Sequence, residues 1–149
     1  ISLIDDHRIK YIFLDAKAGD GVNGGGAVRN AAIEIAKTEW ICFLDDDDTF
    51  TVDYIDKFYQ ELSENTMDVC IFKMIYKNGA YLPPRGLKEL IKGQVGISFA
   101  VNLTFLNEKK LRFINGATED FNLLIDLQNN GANIHFSESI CYQVGFSSI

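Results

Sequence analysis

Trp40-Ile41-Cys42-Phe43-Leu44 runs without a break into Asp45-Asp46-Asp47-Asp48, and this junction limits the possible folds more than any other stretch. An unbroken apolar run, rich in aromatics and bounded by polar residues, predicts a strand buried on both faces of a parallel sheet. Ligands of open α/β sheets bind beyond the carboxyl ends of the strands, which is where these carboxylates emerge. Adjacent negative charges repel one another, so a counter-charge is expected. A divalent cation with a preference for oxygen, Mg²⁺ or Mn²⁺, is the natural one. The plain alternative is a solvated acidic turn.

The remaining chain supports an α/β reading. Ile9 to Leu14 predicts a strand, with Asp5-Asp6-His7 as the turn before it. Ala18 to Gly26 is glycine-rich and reads as a loop whose small residues let backbone approach a nucleotide, or, as the plain alternative, a flexible surface loop. From Ala27 to Lys37, Val28, Ala31, Ala32, Ile35 and Ala36 share one helical face. A second helix is expected from about Val52 to Glu64, capped by Thr51, with Ile55, Phe58, Tyr59 and Leu62 on its buried side. Strands are expected at Met67 to Tyr76 and Ile97 to Leu103, with short ones at Ile134–Phe136 and Tyr142–Val144. Between the first two lies a loop broken by Asn78-Gly79 and Pro83-Pro84. A further helix runs from Glu119 to Asn130, capped by Thr118 and stopped by Gly131. Strands alternating with helices indicate an α/β sheet.

Composition narrows the function. At 149 residues the chain has one domain's length. Its net charge of −7 argues against a broad polyanion-binding surface, and so against nucleic acid as a partner. No apolar run approaches the ~18 residues of a membrane span. Cys42, Cys70 and Cys141 lack metal or redox spacing; buried free thiols in a reducing, cytoplasmic setting are expected.

Several motif readings can be tested on the residues. Gly19-x-Gly21-x-x-Gly24 has the strand-then-helix setting of a dinucleotide fingerprint, but the glycines run on and the helix begins late. A phosphate-binding P-loop needs Lys and Ser or Thr after Gly26, where Ala27 and Val28 stand. A calcium loop beginning at Asp45 needs glycine where Phe50 sits. Asp45-x-Asp47-x-Thr49 also resembles the nucleophile motif of haloacid-dehalogenase-like phosphatases, in which Asp45 attacks phosphorus and Asp47 serves as acid or base. That alternative lacks a convincing downstream lysine and second acidic pair.

One resemblance uses more of the chain. Gly25-Gly26-Ala27-Val28-Arg29-Asn30-Ala31-Ala32, followed by Phe43-Leu44-Asp45-Asp46-Asp47-Asp48 and later Ala117-Thr118-Glu119-Asp120-Phe121, resembles the ordered motifs of family 2 glycosyltransferases with the GT-A fold. Val28 replaces the family's usual alanine. The resemblance covers roughly residues 8 to 136 and implies a Rossmann-like mixed sheet flanked by helices. The family fold opens with a strand, a helix and a second strand ending in a base-recognising aspartate. Nothing before Ile9 matches these, so a single, N-terminally incomplete domain over 1–149 is expected.

The resemblance also implies roles. Arg29, Gly25, Gly26, Asp45 and Asp46 would contact the nucleotide, with Asp46 at the motif's variable position. Asp47 and Asp45 would hold Mn²⁺ or Mg²⁺; Asp48 would be a further ligand or a turn cap. The metal would act as Lewis acid on the diphosphate of a nucleotide sugar, most simply a UDP-sugar. Asp120, or its neighbour Glu119, would be the general base that deprotonates a hydroxyl of a carbohydrate acceptor, with inversion. Acids in the first turn of a helix also complement its dipole without any catalytic role. The plain alternative for Arg29 is a surface ion pair with Glu34 or a nearby acid, and for Asn30 and His135 a structural role. Asn78 to Gly96 is expected to shape the acceptor side. A non-catalytic nucleotide-sugar binding module remains the third reading.

Overall fold

The computed structural model describes residues 5–14 and 25–146; most of the glycine-rich loop lies outside them. Helix α1 (Gly25–Ile35) leads to β1 (Trp40–Cys42), β2 (Thr49–Phe50) and α2 (Tyr54–Glu64). Then come β3 (Val69–Tyr76), β4 (Tyr81–Leu82), β5 (Phe99–Asn102), α3 (Leu103–Glu108), α4 (Glu119–Asn129) and β6 (Ile134–Val144). One mixed sheet has the order β1-β5-β3-β6-β2, with β4 beside β3. β5 runs antiparallel to β1 and to β3, and β3 runs parallel to β6. The carboxyl ends of β1, β3 and β6 therefore share one end of the sheet.

The doubly buried strand is β3, not the Trp40–Leu44 run. Val69, Cys70, Ile71 and Phe72 are all fully buried. Val69 and Ile71 pack with Leu123, Leu124 and Leu127 of α4 and Ile33 of α1, while Cys70 and Phe72 face Tyr54 and Phe58 of α2. Alternate side chains thus enter two separate apolar layers, which is why the run reads as continuously hydrophobic. The Trp40 run shortens to three residues, pairs antiparallel with β5 and is the outer strand among those described. Phe43 is buried, but Cys42 and Leu44 are exposed, so only Cys70 and Cys141 match the expected buried thiols.

Other expectations need correction. Among the described residues, Ile9 to Leu14 forms no strand and is exposed, where the sequence predicts a strand. The turn before it holds, with Ile9 N–H donating to Asp6 O at 2.9 Å. Helix α2 begins after Asp53 rather than Thr51, and Ile55 and Tyr59 are 59% and 63% exposed while Tyr54 and Phe58 are buried. The two short terminal strands are one strand, β6, whose polar middle pairs with β3 through register shifts. Gly131, at φ 88°, ends α4 as expected. Thr118 is its N-cap residue but makes no side-chain cap bond. Among the described residues no helix is long and apolar enough to cross a membrane.

Candidate active site

Three carboxylates from distant parts of the chain meet on one guanidinium. Arg29 sits one turn into α1, and its Nη1 donates to Glu119 Oε1 at 2.6 Å and to Asp120 Oδ1 at 3.3 Å. Its Nη2 donates to Asp45 Oδ1 at 2.6 Å. The guanidinium carbon lies 5.5 Å from the centre of the Phe113 ring. The ion pair with nearby acids expected as the plain alternative for Arg29 is formed, with Asp45, Glu119 and Asp120 and on a largely buried side chain, whereas Glu34 pairs with Arg112.

Each side chain arrives here for a local reason. The α1 N-terminus presents Gly26 N–H to Glu119 Oε2 at 3.0 Å, so Glu119 satisfies one of the helix's unpaired donors. A Cβ at Gly26 would lie 2.7 Å from that same oxygen and 3.1 Å from Phe113 Cβ, and one at Gly25 would lie 2.7 Å from the Arg29 guanidinium. A side chain at Gly25 would displace the Arg29 guanidinium, and one at Gly26 would displace Glu119 and crowd Phe113. Asn30 clamps the segment before α4 through a reciprocal pair of bonds with the Phe113 main chain, both 2.9 Å. Phe113 packs edge-on against Phe43 at 5.1 Å. These contacts tie the start of α4, with Glu119 and Asp120, to the end of β1.

The acidic tip is held from below by Tyr142, a fully buried residue of β6 to which the sequence motifs give no role. Its hydroxyl accepts the Asp45 N–H at 3.3 Å, and the Asp48 carboxyl is near enough to act on it electrostatically. Asp48 Oδ1 accepts Gly145 N–H at 2.7 Å. Asp48 is thus directed inward as an anchor, whereas Asp46 and Asp47 are exposed. Among the described residues no three His, Cys, Asp or Glu side chains converge as a ready metal cage. His135 lies elsewhere, 2.7 Å from Glu61 of α2.

Electrostatics follow from burial and crowding. Burial pushes the Asp120 carboxyl up to about 6; Arg29 opposes this, while Glu119 and Asp45 add to it. Burial also acts against the charge on Arg29, but the hydrogen bond to Asp45 and the fields of the three acids outweigh it and hold the group above the ordinary arginine value. A cleft of about 580 Å³ opens beside the cluster, lined by Gly25, Arg29, Phe43, Leu44, Asp45 and Asp46 among others. It can take a small molecule whose negative groups meet Arg29 while its carbon framework lies on Phe43 and Leu44.

A mixed sheet with carboxylates and a cation gathered at the carboxyl end of β1 is the GT-A class of α/β fold. The profile of Glycosyl transferase family 2 matches residues 2–126, and the chain belongs to that family. Membership removes the phosphatase alternative. The chain is 32% identical over 92 residues to a poly(ribitol-phosphate) beta-glucosyltransferase of Bacillus spizizenii, a match spanning 60% of this chain and 14% of the relative. The crystal structure of S. aureus TarS 1-349 superposes with a TM-score of 0.71 at 23% identity, over 88% of this chain and 42% of that one. The same protein in complex with UDP-GlcNAc gives 0.73 at 22% identity, over 91% and 42%. The chain therefore spans less than half the length of these relatives.

Proposed function

We propose that this chain carries the donor-binding and catalytic centre of an inverting glycosyltransferase that uses a nucleoside diphosphate sugar, most simply a UDP-sugar. The observation that supports it is the meeting of Asp45, Glu119 and Asp120 on Arg29. Asp45 follows the strand expected to bind nucleotide, and Asp120 opens the helix expected to carry the base.

In this reading the diphosphate enters the cleft, where Arg29 and the α1 N-terminus face its negative charge. Asp120, ionised, takes the proton of an acceptor hydroxyl. The freed oxygen attacks the anomeric carbon from the face opposite the diphosphate, and the bond to the leaving oxygen breaks with its electron pair. Glu119 fixes the guanidinium and the helix terminus. The acceptor is a hydroxyl on a glycan or, following the printed name of the Bacillus relative, on a polyol phosphate chain.

Asp45 and Asp47 suit Mg²⁺ or Mn²⁺, because these hard cations take one or two protein carboxylates and complete their shell with water and substrate phosphate. When bound, such a cation supplies Lewis-acid neutralisation of the leaving diphosphate.

Calorimetric titration of UDP and UDP-sugars, with and without Mn²⁺, tests the donor assignment. Saturable binding lost in Asp45→Ala supports it; no binding of any nucleoside diphosphate overturns it. Binding without transfer to any acceptor or to water would leave a non-catalytic module in its place.

A further inference from the structure

The chain's charge is unevenly placed. Residues 77–96 carry Lys77, Arg85, Lys88 and Lys92 against a single acid, Glu89, in a protein of net charge −7. All four cations are exposed. The segment follows β3, so it leaves the sheet at the end where the acidic tip leaves β1. Lys77 marks the meeting point: its Cε lies 3.9 Å from a Cβ built on Gly145, whose N–H is bound by Asp48.

This segment is anchored rather than loose. The β3–β4 turn closes with Tyr76 N–H on Ala80 O at 2.8 Å. Buried Lys73 donates to Pro83 O at 2.9 Å and Pro84 O at 3.2 Å. Glu138 accepts Gly86 N–H at 3.0 Å, and Leu87 and Leu90 pack on the core. Arg85, Lys88 and Lys92 are thus carried outward on a fixed frame. Glu138 offsets part of the charge of Lys73 and Arg85; no acid in the segment answers Lys88 and Lys92 except Glu89.

We infer that Lys77, Arg85, Lys88 and Lys92 form a cationic strip that holds the phosphates of a phosphodiester-linked acceptor chain while one of its hydroxyls reaches Asp120. This rests on the glycosyltransferase reading above. Single exposed charges contribute little, but several on a rigid frame meet a repeating anion together. Arginine matches a phosphate with two parallel donors and lysine adds point charge.

The test is calorimetric binding of a synthetic ribitol phosphate oligomer to the intact protein and to the triple variant Arg85→Ala/Lys88→Ala/Lys92→Ala. The variant should bind the oligomer at least about tenfold more weakly while its affinity for UDP stays unchanged. The wild-type affinity should fall between about 0.05 and about 0.2 M salt. Equal oligomer binding by variant and wild type, with UDP still bound, overturns the strip and leaves the donor assignment intact. Failure of both proteins to bind UDP overturns the underlying reading instead. A polyuronate bound as tightly as the oligomer, or phosphatidylglycerol vesicles bound in its place, also overturns the phosphodiester assignment.

Discussion

Arg29 and Glu119 stand 90 positions apart in sequence and are joined by an ion pair of 2.6 Å between two nearly buried side chains. The second oxygen of Glu119 is held by Gly26 at the start of the helix that carries Arg29. The pair therefore ties α1 to α4 beside the cleft. Replacing Arg29 with alanine leaves Glu119 and Asp120 crowded without their cation, at a cost of about 3 kcal/mol. Asp45 is 41% exposed, and its share is small because water screens it. Arg29→Lys keeps the charge but loses the fork that reaches several acids. Urea unfolding should show both variants destabilised, alanine more than lysine, and both should lose UDP affinity.

Asp120 ties the reaction to pH. With its carboxyl pushed up to about 6, the ionised form that accepts a proton prevails only above that value, so transfer should fall on an acidic limb with an apparent pKa near 6. Asp120→Asn should retain UDP affinity and lose transfer by about 10²-fold or more. Linkage gives the stability counterpart. The folded-state pKa lies above the ordinary aspartate value of 3.8, so between 3.8 and about 6 the folded protein binds more protons than the unfolded chain. Stability from this group then falls as pH rises through that window. Chemical denaturation across that range should show the decline in wild type and its absence in Asp120→Asn.

Much of this centre was legible because its signals are local. The Leu44-Asp45-Asp46-Asp47-Asp48 junction, the Gly25-to-Asn30 helix start and Glu119-Asp120 each occupy a few consecutive residues, and their order along the chain is specific. What stayed hidden depends on partners far away in sequence. Nothing around Tyr142 announces that its hydroxyl supports Asp45. Ser137-Glu138-Ser139 looks like a break between strands, yet bulged pairing with β3 carries β6 through it. The Trp40 run and β3 are alike in composition. Only β3 has strands on both sides and helices on both faces, and no window of sequence states that difference.

Tyr142→Phe isolates the support of the acidic tip. Only the hydroxyl is removed, so the aromatic packing against Phe50 at 5.7 Å remains. The Asp45 N–H loses its acceptor, which costs about 1 kcal/mol in stability. Because that hydroxyl fixes the main chain at Asp45, UDP affinity should fall as well. Unchanged UDP affinity in a stably folded variant would show that the tip is positioned by Arg29 alone.

Glu61 provides a contrast on the other face of the sheet. It accepts bonds from His135, Ser137 and Asn65 and docks α2 on β6. Glu61→Ala should leave the buried Ser137 hydroxyl without that acceptor and cost about 1–3 kcal/mol. The cleft is lined by α1 and by the end of β1 with its acidic tip, so donor affinity measured below the unfolding transition should not change.

Asp47 tests the cation. It is exposed and lies two residues beyond Asp45, whereas Asp48 turns inward. A cation shared with a diphosphate needs an outward carboxylate that is not already committed to the protein, and Asp47 fits that requirement better than Asp48. Asp47→Ala should therefore abolish the Mn²⁺-dependent part of UDP binding and leave the metal-independent part, which Arg29 supplies. Thermal stability should be nearly unchanged, as expected for an exposed substitution. Titrations of UDP with and without Mn²⁺ on wild type and variant separate the two contributions. If the variant keeps a full Mn²⁺ response, the cation lies elsewhere. If wild type shows none, Arg29 and the α1 N-terminus neutralise the diphosphate without a metal.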